Sequence, residues 1–147
     1  MIARVITFII TAASAVTMGA QPGAEVTFRT IARGADSKID TRHELVARTA
    51  GSWQVVWYRH SGSYDRPDVD TPREMVLAVF AGRKPDPGHS VHIASVTREG
   101  TGLVVRYHVQ VAVTSAATAT ATPYHIIAVA ADPAPVTFIE DRDPRLR

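Results

Sequence analysis

Apolar and polar residues alternate most clearly between Leu103 and Val113, where every second side chain is large and apolar. Successive side chains of a β-strand point to opposite faces of the sheet. The pattern therefore predicts a strand with one face in a core and one more solvated face. The residues predicted to point inward are Leu103, Val105, Tyr107, Val109, Val111 and Val113.

Other apolar runs bounded by glycine, proline and polar residues predict further strands. They lie at residues 25–33, 43–48, 75–80, 90–96, 124–130 and 136–139. The segment from Gly82 to Gly88, which lies between two of these runs, contains two glycines and two prolines. This arrangement predicts a hairpin with a seven-residue loop, which is longer than a tight turn requires.

One segment has helical rather than strand periodicity. Trp53, Val56, Trp57 and His60 are spaced as i, i+3, i+4 and i+7, which places them on one helical face. Thr49 and Ser52 are both suitable N-caps, and Gly62 is a suitable stop.

About seven strands and one short helix predict a mainly β fold, either an antiparallel β-sandwich or a barrel-like domain. We expect the helix to cover an open end or an edge of this structure. Residues 21–140 form the predicted domain, and residues 141–147 are predicted to be a charged tail outside the core.

The N-terminal segment, residues 1–20, has the pattern of a secretory signal peptide. Arg4 supplies the positive charge, Val5–Val16 forms an apolar stretch, and Gly19-Ala20 ends the segment with small residues. Cleavage is predicted after Ala20, with Gly19 as the alternative. An uncleaved anchor is the other interpretation, although the apolar stretch is shorter than the roughly 20 residues that span a bilayer. We therefore expect an exported protein without a stable membrane anchor after cleavage.

Composition excludes several classes of site. The net charge is only +2 and the basic residues form no stripe with aromatic residues, so nucleic acid is not an expected partner. The chain has no cysteine, which excludes disulfides, thiolate zinc sites and cysteine nucleophiles. It also excludes attachment of a lipid to cysteine.

No motif for catalysis or for a cofactor stands out, so no catalytic, cofactor-binding or metal-binding residue is predicted. A nucleophile elbow of the Gly-x-Ser-x-Gly type is absent from the sequence. Asp68 and Asp70 have the first spacing of a calcium loop, but the later ligands are missing. The alternative to a non-catalytic role is a small enzyme or a metal-binding domain that uses histidines. The candidate ligands are His92, His108 and His125, which lie on successive strands.

Strand direction predicts where a binding site would lie. In an antiparallel meander, loop 82–88 and loop 114–123 come to the same end, and the turn at 98–102 lies at the opposite end. Long loops on rigid strands are frequent binding sites. We therefore expect a partner-binding surface formed by Arg83, Lys84, Asp86 and His89, with Tyr124 at its edge.

Loop 82–88 and the strand after it resemble the core of the PrcB C-terminal domain family. The resemblance depends on Gly82-Arg83-Lys84-Pro85, on Gly88 and on the following strand Ser90-Val91-His92-Ile93. Val69-Asp70 upstream and Pro123-Tyr124-His125 downstream also match, so the resemblance extends roughly from Val26 to Phe138. Asp86, Pro87 and His89 stand where the family usually has Thr, Gly and Tyr.

The resemblance implies an exported bacterial protein, located in the periplasm or outside the cell. The founding member of the family belongs to a cell-surface protease complex. By this resemblance the expected function is a non-catalytic protein-interaction domain, such as an accessory of a protease complex. The expected partner is a protein, with a cell-envelope or secreted protease as one candidate.

Overall fold

The computed structural model describes residues 23–111 and 119–144, which form eight strands and one helix. The predicted signal peptide, Val113, residues 114–118 of loop 114–123 and residues 145–147 lie outside these residues. No helix in the described ranges combines the length and the apolar character needed to cross a membrane. The elements are β1 (Ala24–Glu25), β2 (Phe28–Gly34), β3 (Arg42–Ala47), α1 (Ala50–Ser61), β4 (Glu74–Ala81), β5 (Ser90–Glu99), β6 (Gly102–Gln110), β7 (Tyr124–Ala130) and β8 (Val136–Glu140).

The strands form two four-stranded sheets, with the orders β1-β5-β6-β8 and β2-β7-β4-β3. Every pair is antiparallel except β6–β8, which is parallel. The mainly β prediction is therefore confirmed, and the described strands form a sandwich and not a closed barrel. The predicted strand at 25–33 is two strands, because the chain passes from one sheet to the other between Glu25 and Phe28.

The predicted hairpin at 75–96 is wrong. β4 pairs with β3 and β7, whereas β5 lies in the other sheet and pairs with β1 and β6. Every residue from Met75 to Ala81 is buried, and the run has no polar alternation. Such a run is typical of a central strand that is covered on both faces. Loop 82–88 is therefore a crossover between the two sheets.

β4 separates two apolar clusters. Met75, Leu77 and Val79 point between the sheets and pack against residues of β5, β6 and β7. Val76, Ala78 and Phe80 point to the outer face, where α1 covers them with Trp53 and Val56. The helix thus covers a face of the second sheet, and the expectation that it covers an end or an edge is wrong.

The predicted helix and its caps are confirmed. The Thr49 side chain accepts a hydrogen bond from the Ser52 backbone N–H, and the Ser52 hydroxyl accepts one from the Thr49 backbone N–H. This reciprocal pair is a capping box, which satisfies N–H groups left without partners at a helix start. Gly62 ends the helix with φ of 75°, a left-handed conformation that glycine adopts without a Cβ clash.

The prediction for β6 is correct in its first half only. Leu103, Val105 and Tyr107 are fully buried between the sheets, and Val109 is partly buried. Val111 lies beyond the end of the strand and is 42% exposed. Strand β6 therefore ends at Gln110, and the buried face does not continue to Val111 as predicted.

The opposite face of β6 is not solvated throughout, because residues after β8 fold over it. His108 on this face is buried, and it lines a cleft together with residues 140–144. The Asp141 backbone N–H donates to the Tyr107 carbonyl at 2.7 Å, and Asp143 is also buried. The described part of the predicted tail therefore belongs to the domain.

Candidate functional site

Three segments meet at one end of the sandwich: the β2–β3 connection, loop 82–88 and residues 119–123. The backbone N–H and C=O groups of Lys84 pair with those of Ala121 at 2.7 and 2.9 Å. The Thr122 N–H donates to the Ala35 carbonyl, and the Arg83 N–H donates to the Asp40 carbonyl, both at 2.8 Å. The two loops therefore share an end as predicted, for the described residues, although a crossover and not a hairpin brings them together. We call this surface the loop end.

Glycine is required where the chain leaves β4 and enters the loop. Gly82 has φ of 75°, and a Cβ built on it would lie 2.9 Å from the backbone nitrogen of Arg42. Any other residue would combine an unfavourable backbone conformation with a clash against β3. This constraint explains the first residue of the Gly82-Arg83-Lys84-Pro85 motif in physical terms.

Arg83 and Lys84 bring positive charge to the loop end. The Arg83 guanidinium lies 3.3 Å from the Asp40 carboxylate, and these side chains are 63% and 57% exposed. An ion pair this exposed contributes little to stability, so Arg83 is accessible for an interaction with a partner. Lys84 is held by its backbone pairing with Ala121, which does not involve the lysine side chain.

Asp86 and His89 shape the tip of the loop. The Asp86 carboxylate accepts a hydrogen bond from the Gly88 N–H at 2.7 Å, which closes a local turn. The His89 ring nitrogen Nδ1 lies 3.0 Å from the Asp86 carbonyl oxygen, so Nδ1 carries the proton and donates it. Both residues are partly exposed, and both are oriented by the loop itself.

Tyr124 differs from the expectation that it lies at the edge of the surface. It is 8% exposed, and its ring centroid lies 4.1 Å from that of His60. Burial raises the pKa of its hydroxyl, with Asp36 adding to the shift. Tyr124 therefore supports the loop end from beneath and does not present its ring to a partner.

Sequence inspection missed a buried serine–histidine pair below the loop end. The Ser37 oxygen accepts a hydrogen bond from the Ile39 N–H and shares a second hydrogen bond of 2.8 Å with Nδ1 of His60. Burial lowers the pKa of His60, which favours the neutral imidazole. The pair joins the β2–β3 connection to α1. Each residue is 5% exposed, so the Ser37 hydroxyl is not accessible to a substrate. No Gly-rich or nucleophile motif in the sequence marks this pair.

The three histidines proposed as alternative ligands do come together. His92 and His108 are opposite each other on β5 and β6, with ring centroids 5.1 Å apart, and His125 of the other sheet lies 6.0 Å from His92. Both nitrogens of His125 are engaged, because Nδ1 accepts from the Ile93 N–H and Nε2 lies 2.9 Å from the Thr30 hydroxyl oxygen. His125 thus has no lone pair directed at its histidine neighbours. Within residues 23–111 and 119–144, no group of three or more histidine or carboxylate side chains has a metal-binding arrangement.

Comparison with family models gives a match over residues 75–130 to the family described as PrcB C-terminal. The resemblance stated from the sequence is confirmed over this segment. The matched residues comprise β4, the crossover loop, β5, β6 and β7, which include the two central strands of each sheet. The comparisons with curated proteins and with solved structures found no match.

Proposed function

We propose that this protein is an exported, non-catalytic domain that binds a protein partner through the loop end. The family match supports the proposal, because the matched residues include the whole of loop 82–88. A protease of the cell envelope or of the surrounding medium is the partner class that the resemblance implies. Arg83, Lys84, Asp86 and His89 are the contact residues in this proposal, and Tyr124 is a supporting residue.

The observation that carries the proposal is that hydrogen bonds hold the backbone of loop 82–88 in one conformation. Lys84 pairs with Ala121, the Arg83 N–H donates to Asp40, and Asp86 closes the tip with Gly88. A loop that is already held in one shape loses little conformational entropy on binding. Prolines Pro85 and Pro87 are exposed between the charged residues and restrict the backbone further.

Charge at the loop end suits recognition of a protein surface. Exposed Arg83 and Asp40 and partly exposed Lys84 and Asp86 present both signs within one small area. Such charges act mainly through the rate of association and through the register of the complex. They would therefore select a partner with complementary charges without dominating its affinity.

Export is tested by the mass of the protein recovered outside the cytoplasm. We expect the mature N-terminus at Gln21, because Val5–Val16 and Gly19-Ala20 have the pattern of a cleaved signal peptide. Intact-mass measurement of the protein from periplasmic and culture fractions checks this. A chain that retains Met1 and sediments with membranes would contradict the export part of the proposal.

Binding is tested by changing Arg83 and Lys84 together to alanine. The free energy of unfolding should change by no more than about 0.5 kcal/mol, because both side chains lie on the surface and the backbone pairs are kept. The affinity for the partner should fall, and its dependence on salt should weaken. The measurement is co-isolation of the mature protein with envelope and secreted proteins, followed by titration with the isolated partner at two salt concentrations.

A matched control removes the same charge from the other end of the sandwich. Arg73 precedes β4 and Arg98 lies in the last part of β5, so both are remote from the loop end. The Arg73→Ala/Arg98→Ala variant should keep the affinity. Full affinity in the Arg83/Lys84 variant, or equal losses in the two variants, would contradict binding through the loop end.

A further inference from the structure

An exposed aromatic surface lies on the outer side of α1, away from the residues proposed above. Among the described residues, four large apolar side chains are strongly exposed, and three of them lie here: Val55 at 58%, Tyr58 at 43% and Tyr64 at 73%. The fourth, Val111, lies after β6. We call Val55, Tyr58 and Tyr64 the aromatic patch. Such clustering is typical of interaction sites, whereas scattered exposed apolar residues are ordinary.

The patch has a fixed shape. The Tyr58 and Tyr64 rings are stacked, with centroids 4.5 Å apart and planes inclined by 21°. Tyr64 follows the helix and is held beside it by the Gln54 side-chain amide, which donates to the Tyr64 carbonyl at 3.3 Å.

Two indole groups extend this attachment. Nε1 of Trp57 donates to the Asp65 carbonyl at 2.9 Å, and Nε1 of Trp53 donates to the Pro67 carbonyl at 3.0 Å. The segment after the helix is thus tied to α1 at three carbonyls, those of Tyr64, Asp65 and Pro67. The tyrosine pair is preorganised, so a partner would not need to order it.

The core does not account for the stack. Trp53, Val56 and His60 are the helical residues buried against the sheet, and Tyr58 and Val55 point away from them. Tyrosine exposed in a rigid position supplies a large contact area with a hydroxyl at its rim, and it is enriched at energetically important positions of protein interfaces.

Basic residues lie on α1 and close to its C-terminal end, near the patch. Arg59 is exposed beside Tyr58, and Arg66 donates to the Gln54 side chain next to the Tyr64 attachment. Lys38 reaches the C-terminal end of the helix, where its ammonium lies against Gly62. Asp65 is the one carboxylate between Ala50 and Arg66. Arg59 and Arg66 therefore outnumber the carboxylates of this stretch, and Asp36 acts on the opposite, buried side of the helix at His60.

We propose that the aromatic patch is a second docking surface, which binds an acidic segment of a partner protein with an apolar or aromatic anchor residue. The anchor would pack on the Tyr58–Tyr64 stack and on Val55, and the acidic residues would lie near Arg59, Arg66 and Lys38. This site does not depend on the loop end, and either proposal can fail without the other.

The charges and the size of the patch select this partner over two others. A second copy of the chain would bring the same basic residues of both copies together, and like charges at an interface are unfavourable. A membrane-surface helix needs a broad apolar face, whereas α1 offers only Val55 and Tyr58 on its exposed side.

The test uses short synthetic peptides with fluorescent labels and the mature protein. One set has Asp and Glu on both sides of a central Tyr, Leu or Ala, and a matched set has Lys in place of the acidic residues. Fluorescence anisotropy should show binding of the acidic peptides with Tyr or Leu. Affinity should be lower by about tenfold or more for the Ala-centred peptides and for the lysine set.

Variants of the protein locate the site. Tyr58→Ala/Tyr64→Ala should weaken binding of the acidic Tyr peptide about tenfold or more. Val111→Ala is the control, because it shortens an exposed apolar residue elsewhere and should leave binding unchanged. Tyr64→Ser alone, at the most exposed position, gives the same comparison if the double variant is unstable. The Arg83→Ala/Lys84→Ala variant should bind these peptides as the unaltered protein does, which separates this site from the loop end.

Four results would overturn the proposal. The first is that no peptide of the acidic set binds, and the second is that the tyrosine variants bind as the unaltered protein does. The third is binding to anionic phospholipid vesicles that the tyrosine variants lose while peptide binding stays equal, which would assign the patch to a lipid surface. The fourth is a dimer in sedimentation that the tyrosine variants abolish, which would assign it to a second copy of the chain.

Discussion

Replacing Trp53 by alanine is expected to lower the free energy of unfolding by about 3–5 kcal/mol, because the change removes a fully buried aromatic side chain and leaves a cavity. Trp53 is 0% exposed and lies between α1 and the outer face of β4. Its indole N–H also donates to the Pro67 carbonyl, so the change frees the segment after the helix. Urea denaturation followed by far-ultraviolet circular dichroism measures the loss.

Two controls separate packing from the hydrogen bond and from helix propensity. Trp53→Phe keeps most of the buried ring but removes the N–H, and it should cost about 1–3 kcal/mol because the Pro67 carbonyl loses its partner. Val55→Ala changes an exposed residue of the same helix and should cost no more than about 0.5 kcal/mol. If Trp53→Ala cost as little as Val55→Ala, the helix would not be packed on the sheet in solution.

Local patterns predicted the helix well, because every signal for it lies within a few residues. The spacing of Trp53, Val56 and His60 defines the buried face. The helix begins after Thr49 and stops at Gly62, at the predicted positions. The face of the sheet that the helix covers could not be predicted in the same way. That depends on β4 being buried on both faces, which is a property of the assembled sandwich.

Pairing of β4 shows the main limit of prediction from the sequence. The run from Met75 to Ala81 indicates a strand but contains no polar alternation that would assign a sheet. Proximity along the chain favours pairing with β5, but β3 and β7 occupy both of its edges. The prediction that the two loops share an end was still correct, because strand direction alone decides which end a loop reaches.

The surface position of the loop residues could be predicted from the sequence, whereas the burial of Tyr124 could not. Arg83, Lys84, Asp86 and His89 follow a glycine that must turn, so their place on the surface follows from local chemistry. Tyr124 begins a central strand of the second sheet, and the first residue of a strand can point to either face. Its burial results from packing against His60 and Phe80, which are distant in the sequence.

Lowering the pH from 7 to 5 is expected to destabilise the protein through His125 by about 2 kcal/mol. Burial, with smaller contributions from Arg33 and His92, lowers the pKa of His125 from 6.5 to about 4. Between these two values the unfolded chain binds a proton that the folded protein does not. Stability from this group is therefore complete above about pH 6.5 and is lost as the pH falls towards 4. Urea denaturation at several pH values measures the slope.

The hydrogen bonds of His125 explain why its protonation opposes folding. Its Nδ1 accepts from the Ile93 N–H on β5, so a proton there would break a bond that joins the two sheets. His125→Asn keeps an acceptor for Ile93 but cannot be protonated, so it should lower stability at pH 7 and remove about 2 kcal/mol of the pH dependence. Thr30→Val, which removes the partner of Nε2, should lower stability while most of the slope remains. His92 shares the direction of the shift, since burial lowers its pKa too, and its contribution should persist in His125→Asn. An unchanged slope in His125→Asn would show that other groups cause the acid sensitivity.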